Sequence, residues 1–238
     1  MSNTYFQFKQ FRIEQEHCAM KVSTDACIQG AWSPLKSETK QVLDIGTGTG
    51  LLSLMLAQRY PSISIDAIES DTTAARQAQE NFSNSPWYNR IHLLQGDATI
   101  YPFDKKYDYI ICNPPFFNNS LLGPKQQRNQ ARHTLSLSYQ HLISLLKNNL
   151  TATGHASILL PFHEGTTIWT SLLEEAGMHL VQALHIAPSS HKPFNRIVFI
   201  CCLSNQEKLT SDIVSIRNSD QNYTDPFIRL LQPFYTSL

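Results

Sequence analysis

The chain has no net charge: 19 Lys+Arg oppose 19 Asp+Glu among 238 residues, which excludes a global electrostatic pull toward nucleic acid. It also has no long hydrophobic run. Stretches such as "ASILLPF" and "RIVFICCL" are strand-sized and far short of the ~20 apolar residues that a membrane-spanning helix needs. The start, "MSNTYFQFKQF", lacks the apolar core and small-residue cleavage site of a secretory signal, so the cytoplasm is the expected compartment. The five cysteines (Cys18, Cys27, Cys112, Cys201, Cys202) are odd in number and contain no C-x-x-C pair. That argues against a zinc site and a disulfide framework, leaves the thiols as small apolar fillers, and predicts no metal. Internal repeats and low-complexity linkers are absent too, and the length suits one α/β core, not two full-sized domains.

From about residue 41, short β-branched runs alternate with longer amphipathic stretches, the pattern of a parallel sheet covered by helices. Strands are expected at "QVLDIG", "SISIDAIES", "IHLLQGDA", "YDYIICN", "HASILLP", "HLVQALHIA" and "RIVFICCLS". Helices are expected at "LLSLMLAQRY", at "DTTAARQAQENF" with Asp71 or Thr72 as its cap, from near Ser138 to before Gly154, and at "HEGTTIWTSLLEEAG". The last two strands have only a short loop between them, so they must pair antiparallel. The expected fold is therefore a seven-stranded, mostly parallel sheet ending in an antiparallel hairpin. Residues 1–40 read as a packed cap or lid, residues 41–238 as one compact unit, and "YTDPFIRLLQPFYTSL" as a segment docked on it.

"DIGTGTG" sets Gly46, Gly48 and Gly50 between a strand and a helix, where the backbone can turn sharply and approach a ligand. Glu69 ends the second strand, where its carboxylate can accept hydrogen bonds from both ribose hydroxyls of a nicotinamide or an adenosylmethionine cofactor. Asp97, followed by Ala98, either accepts an adenine amine or caps its own loop. Asp44 is placed to hold a cationic ammonium, which adenosylmethionine carries and a nicotinamide cofactor lacks. The G-x-G-x-G spacing and the terminal hairpin both depart from the dinucleotide fold, and together they favour a class I, Rossmann-like methyltransferase.

"NPPFF" closes the fourth strand. An exocyclic amine on an aromatic ring is a poor nucleophile because its lone pair is delocalised, so it must be held with that lone pair aimed at the methyl donor. The side-chain oxygen of Asn113 can accept one N–H and the carbonyl of Pro114 the other. Proline presets this geometry, and Phe116 offers a face on which the base can stack. These three are the candidate catalytic residues.

In this order, "DIGTGTG", "IESD", "GDA" and "NPPFF" resemble the class I adenosylmethionine-dependent amino-methyltransferases. "FRIEQEHCAMKVSTDACIQGAW" and "QARHTLSLSYQHLI" resemble, more specifically, the bacterial tRNA(Val) adenine N6-methyltransferase family. That resemblance implies S-adenosyl-L-methionine as methyl donor, methylation of adenine 37 just 3′ of the anticodon, and a tRNA partner. It further implies that Lys21 to Asp25 cover the methionine end of the cofactor, with Lys21 on its carboxylate and Asp25 on the glycine loop. The competing reading of that block is a helix cap at Thr24 or Asp25. Ser23 departs from the glycine frequent in the family, and Phe116 from the tyrosine common in related enzymes. The acid-free stretches containing Lys125, Arg128, Arg132 and His133, and Lys192 and Arg196, are the candidate RNA contacts, with ordinary solvated surface loops as the competing reading and loop ordering as the alternative role of Arg132 and His133. A monomer is expected. Alternatives are methylation of another planar amine (a guanine N2 in ribosomal RNA, a protein glutamine amide) or a non-catalytic adenosylmethionine- or RNA-binding module.

Overall fold

The computed structural model describes residues 3–114, 137–204 and 208–238. In chain order the strands are β1 (Tyr5–Gln7), β2 (Arg12–Glu14), β3 (Gln41–Ile45), β4 (Ser64–Glu69), β5 (Ile91–Gln95), β6 (Tyr107–Cys112), β7 (Leu150–Pro161), β8 (His179–Ser189), β9 (Arg196–Cys202) and β10 (Thr210–Arg217). The helices are α1 (Thr24–Trp32), α2 (Leu51–Arg59), α3 (Thr72–Ser83), α4 (Tyr139–Asn149), α5 (Phe162–Glu164), α6 (Thr170–Glu175) and α7 (Asp225–Leu231). Apart from the small β1–β2 pair, the strands form one sheet in the order β10-β8-β9-β7-β6-β3-β4-β5.

Strands β5, β4, β3, β6 and β7 run parallel, and β9 lies antiparallel between β7 and β8. The expected hairpin is therefore present. Among the described residues, however, the sheet is 8-stranded and not seven-stranded. The additional strand, β10, pairs parallel with β8 at the sheet edge. Its residues Thr210, Ser211, Asp212 and Ile213 are exposed while Val214 is buried. A strand so exposed carries little of the apolar signal that reveals buried strands in a sequence.

Because side chains alternate across a strand, neighbouring residues feed opposite cores. Val42, Tyr109 and Ile111 join one apolar cluster with α1, α2 and α3, while Leu43, Ile45 and Ile110 join another with α4 and α6. Helix α3 starts where expected, with the Asp71 carboxylate accepting from the Ala74 N–H at 2.8 Å. Helix α4 begins after Ser138, which caps it, and ends at Asn149, well before Gly154. Leu150 already belongs to β7, whose β-branched Thr151 and Thr153 suit an extended backbone. Between α5 and α6, residues Gly165–Trp169 form a π-helical turn. There Thr166 and Thr167 donate their hydroxyls to the carbonyls of Phe162 (2.8 Å) and His163 (2.7 Å), one helical turn back, contacts that bend helices.

Residues 3–40 are built into the same structure. Phe8, Phe11, Ile13 and the buried face of α1 belong to the first cluster, and the C-terminal segment closes over them through a Phe8–Tyr235 bridge and the Lys9 N–H donating to the Phe234 carbonyl at 2.8 Å. All five cysteines are free and buried. Among the described residues no helix is long and apolar enough to cross a membrane.

Asn81, on α3 and 2% exposed, ties this N-terminal part to the glycine loop. Its side-chain oxygen accepts from the Glu14 N–H at 2.9 Å, and its amide donates to the carbonyls of Glu14 and Thr49, each at 2.9 Å. Replacing it takes the partner from each of these backbone groups. Asn81→Ala should lower the unfolding free energy by about 1–3 kcal/mol, read as a lower urea midpoint at unchanged m-value; an unchanged midpoint would mean the bridge adds nothing.

Candidate active site

Parallel pairing brings the C-terminal ends of four strands to one edge. Ile45 of β3 pairs with Ile68 of β4 and Cys112 of β6, and Glu69 pairs with Gln95 of β5. Gly46, Glu69, Asp97 and Asn113 therefore leave the sheet on the same side, where open α/β sheets bind ligands.

The glycine loop is held from below by backbone: Gly46 and Thr47 both donate to the Ile68 carbonyl, at 2.9 and 3.1 Å. Its three glycines have left-handed φ angles of 67°, 56° and 84°. They serve different ends. A Cβ on Gly46 or Gly48 would meet nothing closer than 4.0 Å, so these two leave the loop surface bare for a ligand. A Cβ on Gly50 would lie 2.4 Å from the Phe82 ring, so this glycine lets α3 pack against the loop.

Glu69 does two things with one carboxylate. Oε2 accepts the Gly48 N–H at 2.9 Å, and Oε1 accepts the Asp71 N–H at 3.0 Å. The expected ribose ligand thus also clamps the glycine loop, a role the sequence did not reveal. Asp97 accepts both the N–H (2.9 Å) and the hydroxyl (2.7 Å) of Thr99 through Oδ1, so that oxygen caps its own loop. Ala98 follows it, half-buried.

Asp44 sits inside the loop, 0% exposed. Its Oδ2 accepts the Thr47 hydroxyl (2.7 Å), the Ser53 hydroxyl (2.7 Å) and the Ser53 N–H (3.2 Å), while Oδ1 is buried with no hydrogen-bond partner among the described residues. Asn113 is half-buried, and its Oδ1 is likewise a buried acceptor without a partner among the described residues. One residue earlier, the Cys112 carbonyl accepts from the amide of Gln29, a fully buried residue of α1 that also donates to the Ser157 carbonyl. Pro114 is buried. Phe116 lies outside the described residues, as do Lys125, Arg128, Arg132 and His133.

The N-terminal segment reaches this edge. Burial, with the nearby charges of Glu69 and Asp71, pushes the Cys18 thiol up to about 11. Gln15 holds the next stretch by accepting the Val22 N–H at 2.9 Å, and Lys21 donates to the Asn3 carbonyl at 3.3 Å. The cap of α1 is Ser23, whose hydroxyl accepts the Ala26 N–H, and not Thr24 or Asp25. The Asp25 carboxylate lies 3.1 Å from the Arg196 guanidinium of β9. Burial holds this carboxyl above its ordinary range, with Arg196 pulling the other way. Two residues given different roles from the sequence are thus each other's partner. Lys192 is exposed on the loop between β8 and β9.

Burial holds the Asp44 carboxyl up at about 6 from an ordinary 3.8, against the hydrogen bonds from Thr47 and Ser53, which favour its ionised form. The folded chain keeps this proton at pH values where the unfolded chain has released it. The contribution of Asp44 to stability therefore falls as pH rises from about 4 to about 6, then stays level. Asp44→Asn should remove that slope from urea midpoints measured between those limits; a slope retained in the variant would assign the titration to another group.

A family model described as methyltransferase small domain matches residues 31–144. The tRNA1(Val) (adenine(37)-N6)-methyltransferase of Vibrio vulnificus is 42% identical over 98% of this chain and 96% of its own length. The Bacteroides fragilis protein of the same name is 39% identical over 100% of both. Among solved structures, a predicted O-methyltransferase from Agrobacterium tumefaciens superposes with a TM-score of 0.68 at 15% identity, over 88% of this chain and 96% of that one. The glycopeptide N-methyltransferase MtfA, complexed with S-adenosyl-L-methionine, gives 0.58 at 10% identity, over 79% and 97%. These two likenesses establish the methyltransferase fold. Identity along nearly the whole length goes further: the chain belongs to the tRNA1(Val) (adenine(37)-N6)-methyltransferase family.

Proposed function

We propose that this protein, acting as a cytoplasmic monomer, transfers the methyl group of S-adenosylmethionine to N6 of adenine 37 in the anticodon loop of a valine tRNA. The structural observation that carries the amine chemistry is the buried Oδ1 of Asn113, without a partner among the described residues and one residue beyond the Ile45–Cys112 pairing, beside the glycine loop. The choice of adenine 37 in a valine tRNA is supported by identity to relatives of that name.

The residues present fit adenosylmethionine. Gly46 and Gly48 leave a bare backbone surface, Glu69 is half-buried at the adjoining strand end, and Asp44 Oδ1 is an acceptor without a donor among the described residues. In this reading Glu69 holds the ribose, Asp97 and Ala98 the adenine, Asp44 the ammonium, and Lys21 the carboxylate, with Asp25 supporting that segment through Arg196. When bound, the cofactor supplies an electrophilic methyl on a sulfonium and leaves as a neutral thioether.

Asn113 Oδ1 and the Pro114 carbonyl each accept one N–H of the adenine amine, which fixes the nitrogen with its lone pair free. Phe116 stacks on the base. No strong base is required, because the proton can leave after transfer, and positioning provides most of the acceleration. The oxygen of Asn113 also favours an amine over a group without hydrogens, since a buried acceptor left unmatched costs about 1–3 kcal/mol. Lys125, Arg128, Arg132, His133, Lys192 and Arg196 are the proposed contacts to the RNA.

Asn113→Ala should lower kcat/KM by about 10²–10³-fold, the range seen on removing one preorganised hydrogen bond, while the Kd for adenosylmethionine changes little. The assay is transfer of labelled methyl to tRNA lacking N6-methyladenine, followed by nucleoside analysis. Parent-like activity in the variant sinks the mechanism, and label only in methylguanine or in protein sinks the adenine assignment.

A further inference from the structure

Beyond the methyl-transfer site, three rings meet at the same edge of the sheet. Phe162, directly after β7, Phe194 in the β8–β9 loop and His185 on β8 have centroids 5.5 Å (Phe162–Phe194), 5.8 Å (Phe162–His185) and 5.2 Å (His185–Phe194) apart. All three are half-buried. Phe162 packs against the second apolar cluster, whereas Phe194 belongs to neither cluster. A phenylalanine that serves no core and keeps part of its surface in water is poorly explained by packing.

Register places the rings relative to Asn113. Cys112 pairs with Ile158 of β7, Pro161 pairs with Arg196 of β9, and Arg196 pairs with Ile186 of β8. From β6 to β8 is three strand positions, on the order of 14 Å, a span that a splayed single strand crosses within a few nucleotides. The loop is ordered by its own backbone: the Lys192 N–H donates to the Ser189 carbonyl at 3.0 Å and the Asn195 N–H to the Ile186 carbonyl at 3.0 Å. His191 and Lys192 are exposed on it, and residues 185–196 include no acid. Half-exposed rings beside cations on a preset loop are the pattern of a base-stacking platform.

We propose that Phe194, supported by Phe162 and His185, stacks an unpaired base of the RNA substrate close to the base that is methylated, with Lys192 and His191 on the adjoining phosphates. This rests on the RNA-methylation reading above. The occupant is a nucleobase of single-stranded RNA, chosen over an apolar peptide because the surrounding loop is cationic and acid-free.

The test compares the parent with Phe194→Ala, Phe194→Leu and Phe194→Trp, each checked for an unchanged thermal midpoint. Steady-state methylation should show KM for tRNA raised about 10-fold in the Ala and Leu variants, with kcat at saturating tRNA and the Kd for adenosylmethionine retained, and Trp returning KM to within about 2-fold of the parent. Fluorescence anisotropy with a labelled anticodon-stem-loop RNA should show the same order without any chemistry. Parent-like KM and RNA affinity in Phe194→Ala, or a Leu variant as good as Trp, overturns the platform. A parent that binds the RNA but methylates no tRNA overturns the catalytic reading instead, and the anisotropy series then decides the platform alone. A parent that binds no RNA overturns both.

Discussion

The hydrogen bond from the Gly48 N–H to Glu69 Oε2 joins the two halves of the site. A loop of three left-handed glycines has little reason to keep one shape, since glycine loses more conformational freedom on ordering than any other residue. The Glu69 carboxylate supplies that reason from the next strand, with the Ile68 carbonyl holding the loop from below. Its second oxygen fixes the start of the turn into α3 through the Asp71 N–H. Loop, strand end and helix start are therefore set by one side chain, which is also the proposed ribose ligand.

Residues 3–40 extend this bracing across the sheet. Asn81 links β2 to the glycine loop, Gln29 links α1 to the end of β6 and to the interior of β7, and Asp25 meets Arg196 on β9. The Asn81 bond to Thr49 and the Gln29 bond to Cys112 each end one residue from a proposed ligand-binding position. A single buried amide such as Gln29, bonded to backbone on two strands, limits their separation where Asn113 leaves the sheet.

Local chemistry was legible in the sequence. Strand runs, the glycine loop, the Asp71 cap and the β8–β9 hairpin all depend on neighbours in the chain, and the structure has them. What escaped depends on the fold. The Asp25–Arg196 pair joins residues far apart in sequence, and nothing local to either residue names the other. The Ser23 cap lost to neighbours equally able to cap, β10 lacks the apolar signal of a buried strand, and the hydroxyls of Thr166, Thr167 and Thr170 turn back on their own helix around the π-helical turn. The sequence marks Glu69 as a ligand candidate but does not show its clamp, because its bond to Gly48 exists only once β3 and β4 pair.

Asp44 Oδ1 and Asn113 Oδ1, without partners among the described residues, connect stability with function. Buried acceptors are nearly always satisfied, and leaving one unmatched works against folding. Both lie where parallel strands end, and both are acceptors facing ligands that bring only donors in this reading: an ammonium for Asp44 and an amine for Asn113. In the proposed reading, binding supplies the missing donor to each oxygen, which would make each selective for a donor and against groups that cannot supply one. A better-satisfied site would fold more tightly and discriminate less, so these two positions are where a locally unfavourable choice has a physical use.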